Sequence, residues 1–361
     1  MTRRGVFTML AIIFATVCLI GVPGDASAKA IEIKVGSAEP EGHYLVQCVF
    51  LPWCKEVERR TNGKVKFKWY HSGSLLKYEQ NFDAARDGLV QMVPTVAVFT
   101  QEARFPVSSV FHLPFLFETT LQANLTLEEA YRAIPEIREE FKGLKMFGFH
   151  CSDITNFALV RGHQPPKTLE DLKGLKIWAP SKKAVEIVKL LDASPRMVKM
   201  EDLYMSLQRK SLDGVLFPTG PLAKWKLTDV CDVHSMVYMS TSLIPAAMNL
   251  AFYNSLPAEV REVVEDMGPS WTKFAGAIVD NRREDTIKKL KNRGDKMYAF
   301  PSGERDRLRK QMQPVWEAWL QTMKDRGIDG QVILDKVLAL AEKYRNPAYQ
   351  PDSWWPADWK K

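Results

Sequence analysis

Thr168–Pro218 reads TLEDLKGLKIWAPSKKAVEIVKLLDASPRMVKMEDLYMSLQRKSLDGVLFP, and its punctuation decides the fold. Thr168 is placed to cap a short helix, with Asp171 three residues on closing a capping box. Gly174 stops that helix, because a left-handed turn costs glycine little. Leu175–Trp178 is a predicted strand, ended by Pro180. Ser181 is a fresh N-cap, and Ala184 to Leu191 carries apolar residues at helical spacing. Pro195 to Met200 predicts a second strand, Glu201 to Arg209 a second helix, and Asp213 to Pro218 a turn into a third strand. This is a βαβαβ unit, so the fold class is α/β with a mainly parallel sheet. The loops after such strands open on one edge of the sheet, where ligands bind. Trp178, Ser181, Met200 and Phe217 all sit at those strand ends.

The chain on the amino-terminal side repeats the order. Ile31 to Gly36 alternates apolar and charged residues and predicts a strand. A polar loop from Ala38 to Tyr44 leads into a helix over Leu45 to Thr61. Val65 to Tyr70 is a strand, Gln80 to Asp87 lies in a helix, and Gln91 to Phe99 predicts a buried strand. Leu127–Ala133 and Glu136–Lys142 are predicted helices, followed by strands over Leu144–Cys151 and Asn156–Arg161. Beyond the central unit, Asp229 to Tyr238 completes its sheet. Pro257 to Arg293 reads as one or two long amphipathic helices, and Asp306–Arg326 and Val332–Tyr344 as two more. Pro347–Lys361 is rich in Pro and Trp, and is either a docked tail or disordered.

Several motifs occur in an order that resembles one family, the periplasmic solute-binding subunits of TRAP transporters (the DctP type). EDLKGLKIWAP at Glu170–Pro180 is similar to the family's DLKGLKIR(V)P, and EDLYMSLQRKSLDG at Glu201–Gly214 to its EVYxALQxGxxDG. Further pieces are Asn62–Val65, Leu75–Glu79 before Gly88, His112–Phe117 and Phe252–Pro257. The resemblance covers roughly Ile31 to Lys343. It implies a two-lobed periplasmic binding protein fold with mixed, mainly parallel sheets and a long helix crossing the lobes. Residues 31–154 with about 241–280 would form lobe I, 155–240 with about 281–345 lobe II, and 346–361 a C-terminal tail. The implied function is capture of a small ligand between the lobes, as a monomer, for delivery to small and large membrane permease subunits. The alternative is a periplasmic sensor that presents its closed form to a receptor.

The N-terminus agrees with export. Thr2-Arg3-Arg4 is basic, Val6 to Val22 is apolar, and Ala26-Ser27-Ala28 is an A-x-A site, so residues 1–28 read as a signal peptide cleaved after Ala28. The rival reading is a membrane anchor. Cys18 is preceded by bulky Val17, which argues against lipid attachment. Export places Cys48, Cys54, Cys151 and Cys231 in an oxidising compartment. Cys48 and Cys54 fall on one predicted helix, about 9 Å apart along its axis, too far for a bond. Buried free thiols are the preferred reading, and a Cys151–Cys231 bridge stays open.

Composition excludes other classes. The formal net charge is +7, with 50 basic against 43 acidic residues, and no basic block is interleaved with aromatics. Nucleic acid is therefore not an expected partner. The six histidines show no zinc-site spacing. There is no nucleophile elbow, phosphate loop or dinucleotide fingerprint. No enzyme activity, metal or cofactor is expected.

The candidate site is a ligand cleft. In the resembled family the last residue of the KIR strand is an arginine that grips the ligand's carboxylate, assisted by the Asn of a DGxEN turn. Here Trp178 and Phe217 stand at those places. A carboxylate buried without donors is costly, whereas two aromatics offer stacking and cation–π attraction. The expected ligand therefore has an aromatic or apolar body, or is an amine. Arg161, Lys182, Lys183 and Lys199 are the candidates for a replacement cation. Other candidate contacts are Ser181, Met200, His43 and Tyr44 in the first βα loop, and Phe99. Each has a plainer reading: Trp178, Phe217, Phe99 and Met200 as core, Ser181 as a helix cap, His43 and Tyr44 as exposed loop.

Overall fold

The computed structural model describes residues 29–347 together with Ser353 and Trp355; the expected signal peptide and most of the tail lie outside the described residues. Strand β1 (Ile31–Gly36) buries its apolar members and pairs in parallel with β2 (Val65–Tyr70) across helix α1 (Leu51–Arg60). A turn of π-helix over Leu45–Phe50 leads into α1. Helix α2 (Asn81–Arg86) then delivers β3 (Met92–Val93) to the other side of β1. The long strand expected over Gln91–Phe99 is confined to this pair of residues. Pro94 has no N–H for the ladder, and the chain turns so that the Val96 N–H donates to the carbonyl of Pro245. Val96, Ala97 and Val98 are still fully buried, so their apolar run reports burial rather than strand pairing.

Helices α3 (Thr120–Ala133) and α4 (Pro135–Glu140) precede β4 (Leu144–Gly148). The chain then crosses to a second sheet with β5 (Thr155–Val160). The central unit follows as expected in order, though its elements are shorter: β6 (Lys176–Trp178), α5 (Lys182–Leu190), β7 (Ser194–Arg196), α6 (Leu203–Gln208) and β8 (Gly214–Pro218). The expected box at Thr168 is half formed. Asp171 accepts from the Lys167 and Thr168 N–H groups, and only a single 3₁₀ turn over Glu170–Leu172 results. Gly174 takes the left-handed conformation (φ +74°) that ends it. Strand β9 (Cys231–Met236) completes this stretch, and the chain recrosses to insert β10 (Ala246–Asn249) antiparallel between β3 and β4.

After α7 (Leu250–Ser255), helix α8 runs unbroken over Ala258–Arg293, 36 residues with Pro269 inside it. Strand β11 (Lys296–Ala299) and helices α9 (Ser302–Gln311), α10 (Gln313–Asp325) and α11 (Gly330–Lys343) finish the fold. The two sheets have the orders β2-β1-β3-β10-β4 and β11-β9-β5-β8-β6-β7. Besides α8, two segments link them, and they run side by side: the N–H groups of Ser152 and Thr155 donate to Ser242 and Ser240, and Ile244 donates back to His150.

The first half of α8 buries Val264, Trp271 and Phe274 against the first sheet and α1, and Leu290 near its end joins the apolar cluster of the second. The tail is docked at Trp355, whose ring lies 4.9 Å from that of Phe274. Helix α9 makes polar contacts with the second lobe, through Glu304 to the Leu169 N–H and Arg307 to Glu170. Residues up to 345 were expected to stay there, but α10 and α11 bond to the first lobe. Trp319 Nε1 donates to the Pro106 carbonyl and Gln122 Nε2 to that of Ala341. An amphipathic pattern shows that a helix has a buried face without naming what covers it. All of Cys48, Cys54, Cys151 and Cys231 are free thiols, so the open Cys151–Cys231 pairing is not made.

Close approach of α3 to α8 depends on Gly276, where a Cβ would lie 2.6 Å from Leu121 Cα. Gly276→Ala is expected to cost about 1–3 kcal/mol by overpacking, measured as a lower urea midpoint with an unchanged m-value.

Candidate functional site

Trp178 and Phe217 end β6 and β8, which are parallel neighbours in the second sheet. Their rings are 5.8 Å apart and inclined at 49°, and each side chain is 7% exposed. The indole N–H donates to the Val198 carbonyl at 2.9 Å. Met200 and Val198 pack on the same cluster, with Leu203, Leu207, Val215 and Leu222. The structure therefore brings together three of the sequence-derived candidates. Ser181 caps α5, accepting from the Ala184 N–H at 3.2 Å.

The replacement cations fare differently. Arg161 is excluded by register: β5 is antiparallel to β8, with Thr155 opposite Pro218 and Leu159 opposite Gly214. Arg161 thus lies at the far edge of the sheet from Phe217, where it is largely exposed and pairs with Asp232 at 3.1 Å. Lys182 and Lys199 are exposed. Lys183 is mostly buried and reaches the first lobe, 3.7 Å from Glu102. Burial lowers its pKa, against the pull of Glu102.

Glu102 also accepts from His112. The His112 Nε2 accepts the Leu243 N–H at 3.0 Å, so the proton sits on Nδ1 and is donated to Glu102 at 3.1 Å. Burial lowers the pKa of this histidine, consistent with a neutral ring. Lys183, Glu102 and His112 thereby tie α5 of the second lobe to a linking segment.

The first lobe contributes the loop after β1. The rings of His43 and Tyr44 are 4.9 Å apart. His43 Nδ1 accepts from the Leu45 N–H, and burial with the nearby Lys224 lowers its pKa to about 4. Burial, and next the charge of Asp153, raises that of Tyr44. Lys224 comes from the segment after β8; its Nζ would lie 3.2 Å from a Cβ at Gly42. That segment also carries Leu222 beneath the Trp178–Phe217 pair, so it connects the two halves of the site. Phe99 is half-buried and meets Tyr78 edge-on at 6.2 Å.

Sequence reasoning missed three groups here. Glu39 is 2% exposed, and its carboxylate accepts from Ser37 Oγ at 2.7 Å and Thr95 Oγ1 at 3.1 Å. His150, on the first linking segment, is fully buried, and neither ring nitrogen has a hydrogen-bond partner among the described residues. Asp153 is buried against Arg283 at 3.1 Å. Burial pushes its pKa up to about 6, opposed chiefly by Arg283. In sequence these are a loop glutamate, a strand-end histidine and a turn aspartate, and nothing local marks them. Among the described residues, no group of three or more His, Cys, Asp or Glu could hold a metal ion, and no helix is long and apolar enough to cross a membrane.

Two α/β lobes joined by paired linking segments, with loops of both converging on one edge, define a two-lobed solute-binding protein. The comparisons agree. The sequence matches the family model of bacterial extracellular solute-binding protein, family 7 (DctP), over residues 35–322, and the chain belongs to that family. It is 26% identical over 308 residues to the C4-dicarboxylate-binding periplasmic protein DctP of Rhodobacter capsulatus, covering 81% of this chain and 86% of that one. A TRAP periplasmic solute-binding protein from Desulfovibrio salexigens superposes with a TM-score of 0.80 at 25% identity, over 88% of this chain and 98% of that one. A TRAP solute-binding protein from Rhodoferax ferrireducens, in complex with copurified benzoate, gives a TM-score of 0.80 at 23% identity, over 87% and 98%. The chain is thus a TRAP-type solute-binding receptor, a transport component rather than an enzyme. Its family is periplasmic and works with membrane permease subunits.

Burial holds the pKa of His150 near 3 and that of His43 near 4, below the ~6.5 of a free imidazole. Between pH 6.5 and those values the unfolded chain binds more protons, so these rings cost stability as the pH falls. Asp153, with its raised pKa, works in the opposite sense. His150→Gln should therefore flatten the fall of Tm between pH 6.5 and 4 relative to the unsubstituted protein. An unchanged slope would show that the imidazole is hydrated.

Proposed function

We propose that this chain captures a small ligand with an aromatic or apolar body, or an amine, between its lobes and hands it to the small and large permease subunits of a TRAP importer. The reading rests on the Trp178–Phe217 pair, which stands where the resemblance puts an arginine and an asparagine. The indole N–H is already spent on Val198, so the ring has only its apolar face to offer a ligand. A dicarboxylate, the ligand class named for the Rhodobacter relative, would meet no guanidinium at position 178. Losing a desolvated charge partner costs about 2–5 kcal/mol, more than the ~0.5–1.5 kcal/mol that one aromatic contact returns beyond its area. A ligand held at this pair therefore directs an uncharged or cationic surface towards it. Trp178, Phe217 and Met200 would supply the second lobe's wall, with Ser181 beside them, and His43, Tyr44 and Phe99 the first lobe's.

Two measurements test this. Small-angle scattering of the protein carrying its co-purified ligand, against protein unfolded and refolded to remove it, should show a smaller radius of gyration with ligand; equal radii would count against lobe closure. Trp178→Arg should weaken that ligand, once identified by mass spectrometry, by about tenfold or more, the equivalent of ~1.4 kcal/mol. Unaltered affinity in titration calorimetry would make Trp178 a packing residue only.

A further inference from the structure

The Glu39 carboxylate is buried in the loop after β1, and the side-chain hydroxyls around it donate to it. Ser37 Oγ bonds one oxygen and Thr95 Oγ1 the other. The phenol of Tyr78, kept protonated by burial and by this same carboxylate, lies against it as well. Asn81 fixes the direction of the chain of bonds. Its Nδ2 donates to the Thr95 carbonyl at 2.6 Å and lies 3.3 Å from Thr95 Oγ1, so the threonine hydroxyl is free to pass its own proton to Glu39. This orientation leaves Asn81 Oδ1, fully buried, as an acceptor with no donor among the described residues.

The cluster thus holds a buried carboxyl group and a surplus of acceptors. Among the described residues no lysine or arginine forms an ion pair with Glu39, whose partners are these hydroxyls. Neutral donors do not cancel a buried charge, and buried charges are as a rule paired. Tyr44, a candidate ligand contact, lies five residues beyond Glu39 on the same loop, and Tyr78 touches Phe99.

We propose that Glu39, with Asn81 Oδ1 and the Tyr78 ring, is the recognition subsite for a cationic nitrogen, an ammonium or amidinium, on the bound ligand. This deepens the proposed function and rests on it, since it selects the amine from the two ligand classes left open there. The ligand's N–H groups would supply the missing donors and its charge the missing counter-ion. The apolar part would extend past Phe99 and Tyr44 towards Trp178 and Phe217, whose faces favour a cation and penalise an anion.

The test uses protein refolded free of co-purified ligand and the probes benzylamine, 2-phenylethylamine and benzamidine. Benzyl alcohol serves as the neutral isostere and benzoate as the anion, all by titration calorimetry. At least one cationic probe should bind, at least about 30-fold more tightly than benzyl alcohol, the factor a desolvated charge pair supplies. Glu39→Gln should collapse that preference to near unity without lowering the Tm of the ligand-free protein. If Glu39 merely holds its loop, Glu39→Gln will lower the Tm and weaken amine and alcohol alike, which overturns the proposal. Failure of all three cations to bind overturns it too. Binding of benzoate with lobe closure, and of no cation, would remove the subsite while leaving the carrier reading intact.

Discussion

Asp153 is charged where no water reaches it, and four separate parts of the chain are held in place by the way that charge is met. One oxygen accepts the N–H of its neighbour Ile154 and faces Arg283 at 3.1 Å; the other accepts the N–H of Gly220 at 2.7 Å. Arg283 also bonds Asp280 at 2.9 Å, and Asp280 in turn accepts the Thr120 and Leu121 N–H groups at the start of α3. A linking segment, the long helix, a first-lobe helix and the loop under the ligand site thus meet at one buried network. Burial alone would lower the pKa of Arg283, but Asp280 and Asp153 more than offset it, so it stays charged. Replacing such a pair by apolar groups is often neutral, while breaking one side costs about 3–5 kcal/mol. What the network contributes is geometry: Gly220 and the start of α3 are both tied, through Asp153 and Asp280, to one arginine of α8.

That fixed point has consequences for lobe movement. The linking segments are hydrogen-bonded to each other beside it, so rotation of one lobe against the other would be absorbed at their ends rather than at the network. The direct contacts between lobes across the cleft are slight. Lys183 and Glu102 are 3.7 Å apart, and Lys224 lies against the loop at Gly42. The partly exposed Lys183–Glu102 ion pair contributes roughly 0–1 kcal/mol. Changing a two-state population from 1:99 to 99:1 takes about 5.5 kcal/mol, more than this ion pair supplies. The larger part falls to the ligand, which touches both lobes only when they are closed.

The parts of this architecture that were legible in the sequence are those that local chemistry controls. Gly174, Ser181 and the Asp213-Gly214 turn punctuate the central unit, and its elements appear in the expected order, shortened at their ends. Trp178 and Phe217, expected near strand ends on one edge, do meet there, whereas Met200, expected to end a strand, instead opens a 3₁₀ turn beyond β7 and reaches the same cluster. The failures are equally physical. Pro94 ended a strand that its apolar neighbours promised, and Arg161 looked near Trp178 in the chain while antiparallel register put it at the opposite edge. The Asp153–Arg283 pair spans 130 residues, and Thr95 meets Glu39 from 56 residues away. No window of sequence contains either. The buried charges were missed because burial of a polar side chain is decided by what the fold brings over it.

Trp178 and Glu39 acquire a common meaning from their positions on opposing lobes. In the proposed reading, an arginine at the end of β6 would put a positive charge on the lobe opposite the one that carries Glu39. With tryptophan there, the second lobe offers an aromatic surface with its N–H turned to Val198. In the proposed reading the cleft thus has the polarity opposite to that of one built to grip an acid. On that reading the group that selects the ligand belongs to the lobe that contributes the β1 loop, leaving the aromatic lobe to supply the apolar contacts that closure adds.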